Sequence, residues 1–286
     1  MKICNTISEL NTWRNAVSTQ NIGFVPTMGA LHAGHLSLVE ESKKQCAQTV
    51  VSIFVNELQF SPEEDFDKYP RTLEDDLSAL KLLEVDVVFL PTAKEMYNEN
   101  FSVVVNEINI SKKLEGVSRP GFFAGVTTVV SKLFNLVQPS HAFFGQKDIQ
   151  QLVIIKHMVH NLNYNIKVVG CDTIREKSGL AMSSRNQYLS AQQKEQSAII
   201  YQALQLGKNM ILKNQKYSTI LHAMGKKIKE GKCLKVDYLS IADALFLDEL
   251  SDQDSLGDMI IEKSVVISCA VYCNEVRLID NVVIHG

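Results

Sequence analysis

No run of apolar residues in this 286-residue chain reaches the roughly eighteen that a membrane helix needs, so a membrane-spanning protein is not expected. Cysteine is sparse, six in all, and no CxxC pair occurs. A disulfide framework or a paired zinc spacing is therefore not expected either. An excess of positive charge is also missing: 29 Lys and Arg stand against 32 Asp and Glu, a formal charge of −3, with a sequence pI near 6.2. That balance fits general nucleic-acid binding poorly. Residues 1–10 include Asn5, Ser8 and Glu9 and lack the apolar stretch of a secretory signal. There is no internal repeat, no low-complexity tract, no GxSxG elbow and no Walker A lysine loop. Secreted, membrane, collagenous and disordered classes are set aside, and a cytoplasmic, reducing location is expected.

What remains is an ordinary globular mixture, 45% hydrophobic and 21% charged. At roughly 100–200 residues per domain, the length fits one large domain or two modest ones. It is enough to bury a core without structural metal. Cys4, Cys46, Cys171 and Cys233 are scattered. Cys269 and Cys273 lie four apart in an apolar run, where a strand puts them on one face, and they read as small buried hydrophobes.

Through about residue 175, short β-rich runs alternate with amphipathic stretches. Strands are expected at 22–26, 50–55, 86–90, 142–144 and 166–171. Helices are expected at 35–47, 72–84, 126–137 and 149–162. In the 72–84 helix, Leu73, Leu77, Leu80 and Leu83 recur at helical spacing. Thr72 with Asp75 resembles a capping box at its start. This alternation predicts an α/β, Rossmann-like parallel sheet, which binds ligands at the carboxyl ends of its strands. Beyond residue 175 the pattern changes. Helices at 191–213 and 218–229 and strands at 235–241, 265–272 and 276–284 read as a second, smaller α+β domain. Domains of 1–175 and 176–286 follow, with residues 176–190 as the linker.

Four strand ends or loops carry the polar chemistry. The first is Pro26-Thr27-Met28-Gly29-Ala30-Leu31-His32-Ala33-Gly34-His35, between the first of these strands and its helix. A helix start presents unpaired N–H groups and partial positive charge, which suit phosphate. Gly29 and Gly34 let backbone approach a ligand closely. His32 and His35, three apart, share a helical face. The second is the stretch around Asn56 and Gln59, uncharged hydrogen-bonding groups beside large apolar residues. That suits a small ligand with hydroxyl and carboxylate groups, but the segment taken alone reads rather as an ordinary polar loop. The third is Phe144-Gly145-Gln146-Lys147-Asp148-Ile149-Gln150-Gln151. Lys147 there neutralises phosphate, and Asp148 holds a ribose, a lysine or magnesium, or simply caps the next helix. The fourth is Gly179-Leu180-Ala181-Met182-Ser183-Ser184-Arg185-Asn186, a donor cluster or a solvated hinge. With no side-chain nucleophile arranged among them, these groups predict nucleotidyl transfer by positioning and charge neutralisation.

The segment PTMGALHAGH (26–35) resembles the HIGH-type motif of the nucleotidyltransferase superfamily, and AMSSRN (181–186) resembles its KMSKS-type loop. FVNELQF (54–60), YPRTLEDD (69–76), EGVSRPGFFAGVTTVVSKLFNLV (115–137), FGQKDIQQL (144–152) and REKSGLAMSSRNQYLS (175–190) resemble the pantoate–β-alanine ligase (pantothenate synthetase) family. The motifs run in order from residue 24 to 190. The resemblance implies ATP-dependent condensation of pantoate with β-alanine through a bound pantoyl-adenylate, releasing AMP and pyrophosphate. It also implies magnesium with the ATP, a homodimer formed through the N-terminal domain, and a C-terminal lid. Carried over, Met28 through His35 line the ATP site, His35 is the acid or phosphate-stabilising group, and His32 assists. Gly145, Gln146, Lys147, Asp148, Met182, Ser183, Ser184 and Arg185 contact ATP, and Ile174 contacts adenine through its backbone. Lys147 and Arg185 join the two histidines as catalytic groups. Gln59, Gln151, Asn56 and Arg119 hold pantoate, with Gln59 also near β-alanine. Asp75 and Asp76 are possible magnesium ligands.

Two positions depart from the family pattern: Glu57 stands where Pro is usual, and Phe122 where His is usual in RPGHF. Both lie on the acid-substrate side. A dinucleotide-forming adenylyltransferase would share the histidines and the Ser/Arg loop but not Asn56, Gln59 and Gln151. A nucleotide sensor on the same fold would have no use for two small-acid pockets. An aminoacyl-tRNA synthetase would need an appended RNA-binding domain.

Overall fold

The computed structural model describes residues 1–61 and 66–286. Apolar, β-branched runs fall where the sheet needs them. Strands β1 (Lys2–Cys4), β2 (Ile22–Thr27), β3 (Gln48–Ile53), β4 (Val87–Phe89), β5 (His141–Gly145) and β6 (Lys167–Cys171) form one sheet in the order β1-β4-β3-β2-β5-β6. Every pairing in it is parallel. Helices α1 (Ile7–Ala16), α2 (Ala33–Gln45), α3 (Leu73–Leu82), α4 (Ala93–Met96), α5 (Glu115–Ser118), α6 (Phe122–Val137) and α7 (Ile149–Asn161) connect the strands. Alternation along β2 sends Val25 into a cluster with Leu38, Val39 and Leu80 of α2 and α3. Phe24, facing the other way, packs edge-on against Phe134 of α6.

The winding reverses between β2 and β5, so the crevice at their carboxyl ends is the topological switch point where such sheets bind ligands. The two strands also part there. β2 pairs with β3 as far as Thr27, but with β5 only at Gly23 and Phe24. Pro26, which has no N–H to give, sits beyond that last shared rung.

Helices α8 (Ala191–Ser197), α9 (Ile199–Leu212), α10 (Tyr217–Ile228) and α11 (Leu256–Lys263) accompany an antiparallel meander. Its strands are β7 (Leu234–Asp243), β8 (Val265–Cys273) and β9 (Val276–Ile284), in that order. Val265, Ile267, Cys269, Val271 and Cys273 line the core face of β8 against Ile200, Leu204, Ile220 and Met224. Both cysteines of this pair are fully buried. Contacts divide the chain into a unit of Met1–Lys112, Gly116–Gln146 and Ile154–Asp172, and a unit of Lys113–Glu115, Lys147–Val153 and Thr173–Gly286.

Several local expectations differ from the structure. Thr72 and Asp75 form no capping box. Thr72 has ψ 48 and its side chain makes no cap bond, because its hydroxyl donates to Asp76 instead. The expected 191–213 helix is interrupted at Ala198 (φ −62, ψ −20), whose amide turns back onto carbonyls of the preceding turn. α6 starts four residues earlier than expected, behind Gly121 at φ +84. β1, α1 and α11 are not among the expected elements; β1 is only three residues long, Thr6 and Glu9 form a reciprocal capping box on α1, and Leu256, Met259 and Ile260 recur at helical spacing in the eight-residue α11.

Candidate active site

The turn after β2 is held open by one carboxylate. Gly29 lies at φ +81 and Ala30 at φ +50, the latter a conformation that residues with a Cβ seldom adopt. The amides of Ala30 and Leu31 donate to Asp76 at 2.9 and 2.8 Å, and Asp76 is 2% exposed. The chain then enters α2 with His32 as its N-cap and His35 at the third helical position. The two rings lie 4.1 Å apart between centroids. His32 Nδ1 accepts the Gly34 amide at 3.1 Å, and His35 Nδ1 accepts the His32 amide at 3.4 Å. With both Nδ1 atoms accepting, the neutral rings carry their protons on Nε2, the tautomer that donates to an anion.

The same unit builds a buried polar group around Asn56 and Gln59. Asn56 is 1% exposed, and its Nδ2 donates to Gln59 Oε1 at 3.0 Å and to the Gly125 carbonyl at 3.1 Å. Tyr97 OH donates to Asn56 Oδ1 at 2.6 Å. Burial, with Glu57 adding to it, pushes the Tyr97 hydroxyl well up, so it stays a donor. Gln59 Nε2 contacts Met28 Sδ at 3.0 Å, which joins this group to the glycine turn. Arg119 donates to the Gln59 carbonyl at 3.3 Å, and its guanidinium lies 3.6 Å from the centroid of the Phe122 ring. Phe122 thus gives Arg119 a flat apolar platform. Glu57 opens the short 3₁₀ turn Glu57–Gln59 and is exposed.

In the second unit, Lys147 and Asp148 stand at the start of α7, Nζ to Oδ1 3.7 Å. Gln151 is half-buried on the first turn of α7. Residues 174–182 double back as a small hairpin. Met182 donates its amide to the Ile174 carbonyl at 3.0 Å, and Arg175 bridges Ala181. Ser183 caps the 3₁₀ turn Ser184–Tyr188, its Oγ accepting the Arg185 amide at 3.3 Å. Asn186, 4% exposed, ties the loop internally by donating to the Ala181 carbonyl and Glu176.

Within the first unit, then, Met28, Asn56, Gln59 and Arg119 come together. Within the second, Lys147 and the 174–186 loop are each fixed in place. Tyr97 and Gly125 were missed by sequence reasoning. The aromatic–small pattern around Gly125 lies inside a quoted motif, but Tyr97 carries no spacing signal of its own.

The carboxylates do not fit a protein-held magnesium ion. Asp76 already accepts two amides and a hydroxyl, and Asp75 is exposed. No cluster of three or more metal-binding side chains exists among the described residues.

A parallel sheet whose switch-point turn leads into a histidine-capped helix, with a buried, hydrogen-bonded amide pair joined to that turn, defines an α/β enzyme of the nucleotide-handling kind. The sequence model of the pantoate-beta-alanine ligase family matches residues 2–283. The pantothenate synthetase of Caldicellulosiruptor bescii is 48% identical over 268 residues, 93% of this chain and 92% of that protein. The crystal structure of pantothenate synthetase from Thermus thermophilus superposes with a TM-score of 0.92 at 40% identity, covering 100% of both chains. That of the pantoate-beta-alanine ligase from Francisella tularensis, complexed with beta-gamma ATP and beta-alanine, gives 0.80 at 36% identity, covering 99% of this chain and 97% of that one. The chain belongs to the pantoate–β-alanine ligase family, and its reaction is the ATP-dependent condensation of pantoate with β-alanine. No helix among the described residues is long and apolar enough to cross a membrane.

Proposed function

We propose that His32, His35, Lys147, Ser183, Ser184 and Arg185 carry the adenylation half of this reaction, with Asn56, Gln59, Arg119 and Gln151 holding pantoate. The observation that carries this reading is the close, tilted His32–His35 pair, both rings set by backbone donors into the Nε2–H tautomer at a helix start. A carboxylate ionises near pH ~4 and is a poor electrophile toward amines. Attack of the pantoate carboxylate on the α-phosphorus of ATP needs no base. It does need the charge on the α-phosphate and the departing pyrophosphate neutralised, which imidazole N–H, ammonium, guanidinium and hydroxyl donors do. AMP then leaves as the β-alanine amine attacks the mixed anhydride. The amine reacts unprotonated, although its pKa in water is about 10, and a dry pocket favours the neutral form.

The remaining assignments are proposals on the same footing. Met28, Gly29, Ala30, Leu31, Ala33 and Gly34, with Gly145, Gln146 and Asp148, frame the nucleotide, and Ile174 meets adenine through its backbone. Magnesium enters on the triphosphate, where it supplies charge neutralisation, rather than on Asp75 or Asp76. Residues 1–175 bind ATP and pantoate, and residues 176–286 act as a lid that keeps water from the adenylate. A homodimer is supported by Val103, Val104 and Ile108, which are 73%, 61% and 61% exposed on one short stretch of the N-terminal unit. A cytoplasmic location is supported by the six free cysteines.

The test is exchange of labelled pyrophosphate into ATP. Pantoate with MgATP alone should support it rapidly. Exchange that strictly requires β-alanine, or a fast stoichiometric burst of AMP without it, overturns the two-step reading.

A further inference from the structure

Two adjacent polar residues of β9, Asp280 and Asn281, are each only 4% exposed. Buried polar side chains need partners, and neighbours on a strand project to opposite faces. Asp280 accepts both arms of the Arg175 guanidinium, at 2.6 and 2.9 Å. That guanidinium also donates to the Gly179 carbonyl at 3.1 Å and lies 3.7 Å from the centroid of the Tyr201 ring. Gly179, at φ +96, is the turn of the hairpin that leads into Ser183. On the opposite face, Asn281 Nδ2 donates to the main-chain carbonyl of Lys147 at 2.8 Å. One dipeptide therefore holds both of the second unit's phosphate-handling segments.

We propose that Asp280 and Asn281 are positioning residues for adenylation: Asn281 fixes Lys147 through its carbonyl, and Asp280 fixes the Ser183–Arg185 loop through Arg175. This rests on the reading of Lys147 and that loop as phosphate partners. Lys147 lies in a 3₁₀ turn, and the Asn281 bond to its carbonyl fixes the point from which its flexible stem extends, which limits the positions its ammonium can reach. A displacement of about 1 Å at a reacting centre costs on the order of a hundredfold in rate. Neither Asp280 nor Asn281 needs to touch a substrate for this role, because each acts through the residue it holds.

The experiment measures each half-reaction separately in Asn281→Ala, the isosteric Asn281→Asp, and Arg175→Lys, each checked by circular dichroism and thermal melting. We expect pantoate-dependent pyrophosphate exchange to fall about tenfold or more, or the ATP Michaelis constant to rise as much. The pantoate Michaelis constant and the attack of β-alanine on supplied pantoyl-adenylate should stay within about twofold. Arg175→Lys keeps the charge and loses the two-pronged geometry, so it should show the same split. In a Lys147→Ala background, Asn281→Ala should add less than about twofold. Wild-type exchange in the folded variants, equal losses in both half-reactions, or full additivity with Lys147→Ala overturns the proposal. Failure of both Asn281 variants to fold overturns it too, because Asn281 is then structural. Wild-type exchange by Lys147→Ala alone removes the underlying reading of Lys147, and the proposal with it.

Discussion

Asp76 and Ala30 are 46 residues apart in the chain, yet the Asp76 carboxylate accepts the Ala30 amide at 2.9 Å and so fixes the residue that turns the chain toward His32. Its other oxygen takes the Leu31 amide and the Thr72 hydroxyl. Asp76→Asn keeps the volume but presents a donor to one of these donors. An orphaned buried polar group costs about 1–3 kcal/mol. The melting temperature should drop by about 3–10 °C, and pyrophosphate exchange by more than tenfold. Calorimetry and exchange on the purified variant decide it. Values within error of the wild type for both would remove Asp76 from the organisation of the turn.

His35→Ala should fold and lose most adenylation. Removing one well-placed transition-state donor typically costs about 10²–10³ in kcat. The structure adds that His35 also accepts the His32 amide, so part of the loss arises from a less ordered helix start. Steady-state kinetics with saturating pantoate and ATP measure it. More than about half of wild-type kcat in a folded variant rejects the role.

Phe122 stands where the family pattern has His, and its ring supports the Arg119 guanidinium. Such contacts contribute about 0.5–2 kcal/mol. Phe122→Ala should therefore raise the pantoate Michaelis constant about 2–30-fold, whereas Phe122→His, which keeps a flat ring, should leave a folded, active enzyme with a modest change. A loss of kcat above roughly a hundredfold in Phe122→His would mean that this loop is built differently and that Arg119 does not serve pantoate.

The parallel sheet was legible because β-branched runs and leucine periodicity are local signals, and so was the glycine-bearing turn with His32 and His35. Asn56 and Gln59 were legible as residue types, but not the reason they are rigid: Tyr97 and the Gly125 carbonyl bond Asn56 from 41 and 69 residues away, and Asn56 in turn bonds Gln59. Asp76 is visible in the sequence as an acid and a possible magnesium ligand, because nothing in its own segment shows that its oxygens meet the amides of a distant turn. Asn281 gave no signal at all. Its meaning is a contact with a carbonyl, and a backbone acceptor leaves no mark in the side-chain sequence.

Gly125 should prove as demanding as any side chain proposed to hold pantoate. A Cβ built there meets backbone, not the end of a flexible side chain: Leu58 O at 2.2 Å, Leu58 C at 2.4 Å and Gln59 N at 2.7 Å. Its carbonyl also receives Asn56 Nδ2 at 3.1 Å. Gly125→Ala must push the Glu57–Gln59 turn away from α6, which moves Asn56 and Gln59 together. Overpacking of this kind costs about 1–3 kcal/mol of stability. The pantoate Michaelis constant should rise at least tenfold, while that for ATP stays within about threefold, since His32 and His35 are held by their own backbone bonds. Initial rates with each substrate varied in turn, alongside a thermal melt, give the answer. A wild-type pantoate constant with a wild-type melting temperature would show that the turn yields without cost, and that the close approach of α6 does not shape the pocket.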